Sequence, residues 1–175
     1  GCLARIKTGV KKDGGIVAEE NTFYWEGGAY TEYGVNIARA GGYASTGPYD
    51  IPNVKADSYC VYTNQPVGGP YRGFGMSEIH FAIEQNLDMI AIQMGIDPVE
   101  FRKINAIKEG GHTVTSQQLY NVGITKCIEA VEKDIEWGKA NKASAPNKLR
   151  GKGIACMYKA PSQPNNVASS AIIKI

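Results

Sequence analysis

The chain has no apolar run long enough to cross a bilayer, which excludes a membrane-spanning helix. Neither charge is in excess. Nineteen Lys and Arg against seventeen Asp and Glu leave a net +2, so nothing marks the whole chain as a binder of nucleic acid or polyanions. Cysteine is sparse and scattered. Cys2, Cys60, Cys127 and Cys156 include no pair with zinc or iron–sulfur ligand spacing. They read as buried or half-buried free thiols of a cytoplasmic protein. The two histidines, His80 and His112, are too distant in sequence to suggest a ligand pair and read as structural or solvent-facing. No Gly-Lys-Ser/Thr phosphate loop is present, and Gly73-Phe74-Gly75 lacks the later glycine of a dinucleotide fingerprint. The opening Gly1-Cys2-Leu3-Ala4-Arg5 has neither an initiator Met nor the charged-then-apolar order of a signal peptide. A processed or excised piece is therefore expected.

What is present is a globular composition, 43% hydrophobic and 21% charged over 175 residues, enough for one domain with or without a small annex. Residues 2–10 and 15–24 read as strands joined by the turn Lys12-Asp13-Gly14-Gly15. Residues 35–44 suggest a short, irregular helix. Residues 54–63 alternate like a strand with Ala56, Ser58, Cys60 and Tyr62 on one face. The strongest helical period runs from 76 to 94 through Ile79, Ile83, Leu87, Ile90 and Met94, with Ser77 as the expected cap and Gly95 as the stop. Asp97 and Pro98 open another helix with Phe101 and Ile104 expected inward. A third helix is expected over 124–138, with Cys127, Ile128, Val131 and Ile135 on its core face. Lys139, Lys142, Lys148, Arg150 and Lys152 mark a solvated basic linker. Residues 153–158 and 167–175 read as strands, and the terminal apolar Ala171-Ile172-Ile173-Lys174-Ile175 calls for a partner strand. Strands, then helices, then strands predict an α+β fold with a mixed or antiparallel sheet. The expected division is residues 1–145 as one domain and 146–175 as the start of a following β-containing segment.

The densest cluster of unusual residues is Gln65-Pro66-Val67-Gly68-Gly69-Pro70-Tyr71-Arg72-Gly73-Phe74-Gly75, immediately before the longest helix. Glycines let backbone approach a ligand closely, the following helix start favours anions, and Arg72 offers a planar fork of donors. Phe74, between two glycines, presents a flat ring. Such a loop suits something planar or anionic.

Taken with Glu84, Asp88, Gly95-Ile96-Asp97-Pro98 and Arg102 to Asn105 downstream, the run Pro70-Tyr71-Arg72-Gly73-Phe74-Gly75 resembles the xanthine dehydrogenase/aldehyde oxidase family, in its large molybdopterin-binding subunit. Tyr49-Asp50-Ile51-Pro52-Asn53-Val54 and Thr63-Asn64 extend the resemblance upstream in order and spacing. It implies a molybdenum–molybdopterin cofactor and hydroxylation of an aldehyde or N-heterocycle with water as the oxygen source. Electrons then leave through iron–sulfur clusters and FAD on partner domains or subunits. It also implies that Tyr71, Arg72 and Gly73 lie on the cofactor side, with Arg72 nearest the metal, and that Phe74 stacks on the substrate. The general base and a further cofactor loop of such enzymes fall outside these residues, so the chain alone is expected to be inactive and to need the remainder of the subunit. Purine-oxidising members carry an arginine where Ala40 stands; Arg39 is one residue early, which argues against xanthine. The alternative reading is a non-catalytic structural or assembly module of such a complex.

The other candidates have plainer readings. Glu84 and Asp88, one helical turn apart, read as structural hydrogen-bonding groups. Arg39 reads as a solvated surface residue, and Tyr24, Trp25 and Tyr30 as an aromatic core cluster.

Overall fold

Alternating residues build the first hairpin. In β1 (Cys2–Val10), Cys2, Ala4, Ile6, Thr8 and Val10 are half-buried while the residues between them face solvent. The turn closes through Lys11 N–H to the Gly15 carbonyl at 2.9 Å, and Gly14 takes φ +89°. A side chain at Gly14 would meet Ile96 within 2.9 Å, so glycine is required there. The return strand β2 (Ile16–Gly28) runs past the expected end at residue 24. It pairs antiparallel with β1 and parallel with β3 (Val54–Tyr62), so the sheet is mixed with β2 at its centre. The helix α1 (Gly34–Tyr43) makes the crossover between the parallel pair. This computed structural model describes residues 1–30, 32–141 and 145–159.

One face of the sheet carries α1 and α2 (Met76–Met94). Phe23, Ile79, Ile83, Leu87, Ala91, Val99 and Phe101 are at most 1% exposed and form the centre of the core. The other face is open to solvent and pairs Lys55 with Glu20 and Asp57, and Lys7 with Glu20. The expected cap of α2 is corrected. Ser77 lies within the helix, and the N-cap is Gly75, left-handed at φ 87° with no side-chain hydrogen bond. The helix follows directly on a left-handed turn, which leaves no position from which a serine could cap it. Gly95 ends it as expected, at φ 68°.

Asp97 caps α3 (Pro98–Asn105), accepting from Val99 N–H at 2.8 Å and Glu100 N–H at 3.3 Å. Ile104 is exposed, contrary to expectation; the inward residues are Val99, Phe101, Arg102 and Asn105. Asn105 ties this helix to the first hairpin. Its Oδ1 accepts from Ile16 N–H at 2.8 Å, and its Nδ2 donates to the Gly14 carbonyl at 2.9 Å.

Arg102, with no exposed surface, donates from Nε to Glu84 Oε2 at 2.8 Å and pairs with Asp88 at 2.7 Å. Tyr49 OH donates to Glu84 Oε1 at 2.6 Å. The structural reading of Glu84 and Asp88 holds, with Arg102 as their partner. Burial disfavours the guanidinium charge, but the Glu84 carboxylate outweighs it and holds the pKa of Arg102 above its ordinary value. Burial and the same carboxylate push the Tyr49 phenol up.

α4 (Ile124–Asp134) is shorter than expected and buries only Ile128. Cys127 and Val131 are exposed and Ile135 is half-buried. The cysteine reading is corrected at this one position; Cys2 and Cys60 are half-buried, Cys156 is buried, and all four are free thiols. Lys152 is not simply solvated, since its Nζ donates to the Glu136 carbonyl at 2.7 Å. Lys139 pairs with Glu136, and Lys142 lies outside the described residues. Residues 153–158 form no strand. They run as a segment without a paired strand among the described residues; it buries Ile154 and Cys156, and Tyr158 N–H donates to His80 Nε2 at 3.4 Å. His80 is a buried structural residue and His112 is exposed. The strand expected over 167–175 lies outside the described residues.

Candidate functional site

Parallel strands point their carboxyl ends the same way, and both helices that follow start there. β2 is followed by α1, and β3 leads through the Gly-rich loop to the start of α2. The loop is bound to the strand ends mainly by backbone, with the Thr63 hydroxyl donating to Glu26 Oε1 at 3.3 Å besides. Thr63 N–H donates to the Gly28 carbonyl, Ala29 N–H to Gln65 and Gly68 N–H to Gly27, each at 3.0 Å. A side chain at Gly68 would come within 2.8 Å of the Glu26 carbonyl, and one at Gly28, where φ is +80°, would strike the Pro66 carbonyl. The loop can lie this close to the strands only because these positions are glycine.

Three successive residues, Gly73, Phe74 and Gly75, then adopt φ values of 100°, 53° and 87°. Glycine adopts such angles freely; phenylalanine does so at a cost on the order of 1–2 kcal/mol. The turn sets Phe74 half-buried against Tyr33, ring centroids 6.4 Å apart at 74°. Tyr33 is the N-cap residue of α1, so the ring contact joins the two helix starts. A side chain at Gly75 would come within 3.0 Å of the Ile37 carbonyl and 3.2 Å of the Trp25 ring. Trp25 is the buttress beneath. It is buried, and its indole N–H donates to Ser58 Oγ at 2.9 Å, which in turn donates to the Ala38 carbonyl at 2.7 Å.

The expected aromatic cluster does not form. Tyr24, on the opposite face of β2 from Trp25, stacks on Tyr59 at 5.4 Å, and Tyr30 is 76% exposed.

Tyr71 is fully exposed, and the exposed Arg72 guanidinium has no hydrogen-bond or ion-pair partner among the described residues. Glu32 flanks the loop beside Gly69 and accepts from Tyr33 N–H at 2.5 Å. A cavity of about 80 Å³ opens next to the loop between Gly27, Tyr30, Gly34, Cys60 and Tyr62. Arg39 is exposed on α1 and hydrogen-bonded to Asn36, in keeping with a surface residue, at a cleft between α1 and β3.

The structure thus gathers Tyr71, Arg72, Gly73 and Phe74 on one ledge, while Glu84 and Asp88 are committed to Arg102. Sequence reading missed Tyr33 and the buttressing role of Trp25. For Tyr33, the available signal was an aromatic placed directly before the glycine that opens α1. The ledge fits one wall of a site for a planar, anionic cofactor. It offers a guanidinium without a partner among the described residues, backbone unobstructed by side chains, and an aromatic ring of set orientation.

The family model of the molybdopterin cofactor-binding domain matches residues 1–106. The nicotinate dehydrogenase large molybdopterin subunit of Eubacterium barkeri is 37% identical over 132 residues, covering 74% of this chain and 31% of that protein. The xanthine dehydrogenase molybdenum-binding subunit of Escherichia coli O157:H7 is 37% identical over 153 residues, covering 85% of this chain and 20% of that protein. Among solved structures, the aldehyde oxidoreductase of Desulfovibrio gigas superposes with a TM-score of 0.74 at 30% identity, covering 77% of this chain and 15% of that one. The chain therefore spans less than a third of the length of each of these relatives.

Proposed function

Because the chain belongs to the molybdopterin cofactor-binding domain family, we propose that it forms one wall of the catalytic centre of a molybdenum hydroxylase acting on an aldehyde or N-heterocycle. The observation that carries this reading is the Gly73-Phe74-Gly75 turn, which holds Phe74 in a left-handed conformation beside Tyr33, next to an exposed Arg72. The molybdenum cofactor, when bound, supplies the two-electron oxidation that inserts an oxygen from water. The residues of this chain bind and orient. Tyr71, Arg72 and Gly73 would hold the cofactor, by charge and unobstructed backbone. Phe74 stacks on the substrate ring and limits its approach to one plane. No carboxylate of the described ledge is placed as the general base, which lies in the remainder of the subunit. A single wall leaves a cofactor open to water, so the isolated chain is inactive.

The partners of this reading are the remainder of the molybdopterin subunit and iron–sulfur and flavin-bearing domains or subunits. The setting is the cytoplasm, supported by four free thiols. No helix among the described residues is long and apolar enough to cross a membrane. The division after residue 145 belongs to the same proposal, with Ile154 and Cys156 from beyond it packed into the core of the first part.

The test is metal analysis and mass spectrometry of the native complex isolated with this chain. Molybdenum together with flavin and iron–sulfur polypeptides is the expected result. A complex free of molybdenum and of redox partners favours the non-catalytic assembly module instead.

A further inference from the structure

Glu19 and Asn21 stand two residues apart on β2, so both side chains leave the same face of the strand. They are 3% and 0% exposed. Asn21 Nδ2 donates to Glu19 Oε1 at 2.5 Å and to the Ser45 carbonyl, just beyond α1, at 3.0 Å. The second atom of each group, Glu19 Oε2 and Asn21 Oδ1, is buried and unpartnered. As an ionised carboxylate, Glu19 would place Oε2 and Asn21 Oδ1 together as two buried acceptors, with only the neutral hydroxyls of Thr8 and Ser45 nearby as donors, an arrangement that is expensive in a dry interior.

No cation among the described residues offsets the charge. On β1 the facing group is Thr8, whose Oγ1 accepts from Asn86 of α2 at 2.8 Å. Lys7 and Lys55 on the flanking strands bind Glu20 on the opposite face of the sheet. Glu84 and Arg102, the buried charges of α2 and α3, are bound to each other. From the end of α1 comes Ser45, whose unpartnered hydroxyl is uncharged.

We propose that the folded domain holds Glu19 as a carboxylic acid whose Oε2 proton is donated to Asn21 Oδ1, forming a two-hydrogen-bond acid–amide pair. This pair acts as a proton-dependent clamp between β2 and the end of α1. Burial raises the Glu19 carboxyl from 4.5 to about 7, against the opposing pull of hydrogen bonds from Asn21 and Thr8. The folded state therefore binds the proton more tightly than the unfolded chain. The clamp's contribution is complete at acidic pH below the unfolded value and is lost as pH rises through about 7. Because Asn21 also holds Ser45, loss of the proton loosens the end of the helix whose start contacts Phe74.

The test compares the 175-residue chain with Glu19→Gln by chemical denaturation between about pH 5 and about pH 9, with infrared spectra of both. Glutamine supplies a permanent N–H where the acid supplies its proton. The parent's folding equilibrium is expected to weaken by at least about tenfold relative to Glu19→Gln across that range. A protonated carboxyl band, absent from the variant, should titrate near neutrality in the parent. The infrared band tests the proposal even if the variant fails to fold. Equal pH dependence in parent and variant, or no such band at pH 6, would overturn it. Stabilisation of the parent alone by added sodium or calcium would also overturn it, since that result makes the pair a cation site with an ionised Glu19.

Discussion

Replacing Arg102 by alanine is expected to destabilise the domain by about 3–5 kcal/mol, a large fraction of the stability of a chain this size. The side chain has no exposed surface, and its removal strips the buried Glu84 carboxylate of its cation, leaving only the Tyr49 hydroxyl at 2.6 Å. An uncompensated buried charge, rather than the lost contact, dominates the cost. The double replacement Arg102→Met with Glu84→Met removes both charges and should therefore be less damaging than Arg102→Ala alone. Urea denaturation of the three proteins decides it. A loss below about 1 kcal/mol for Arg102→Ala would mean that the network is solvated and does not hold α2 to α3.

Phe74→Gly is expected to separate stability from function. Glycine takes φ 53° without strain, which returns on the order of 1 kcal/mol, close to what the edge contact with Tyr33 contributes. The denaturation midpoint should therefore stay near that of the parent or rise. Turnover by the assembled enzyme should fall by about tenfold or more, because the substrate loses both stacking and orientation. Steady-state kinetics beside thermal unfolding tests this. A variant that loses stability yet keeps its turnover would make Phe74 a packing residue and return the loop to the assembly-module reading.

Features set by local chemistry were legible in the sequence. The hairpin showed in its alternation and in Gly14-Gly15, the long helix in its period, and α3 in Asp97-Pro98. Features set by distant partners were not. Ser77 has the chemistry of a cap, yet the left-handed turn at Gly73, Phe74 and Gly75 carries the chain into α2 before Ser77 is reached. Ile104 and Val131 obey the helical period, but no element among the described residues covers them, and both remain exposed. Residues 153–158 do alternate, burying Ile154 and Cys156, but no strand among the described residues lies beside them. The site itself divides the same way. Arg72 and Phe74 stood out within one short stretch, whereas Tyr33 and Trp25 reach the loop only through the fold. Glu19 and Asn21 gave a visible signal that was not followed, two polar residues on the core-facing side of the central strand.

The central claim is that the ledge at Tyr71 to Phe74 holds the cofactor, and the most direct measurement is the molybdenum and pterin content of the complete subunit carrying Arg72→Ala. The arginine is exposed and has no partner among the described residues, so its loss should leave the unfolding transition unchanged. A cofactor content well below that of the parent purified in parallel is expected. Parental content in a normally folded Arg72→Ala subunit would contradict it.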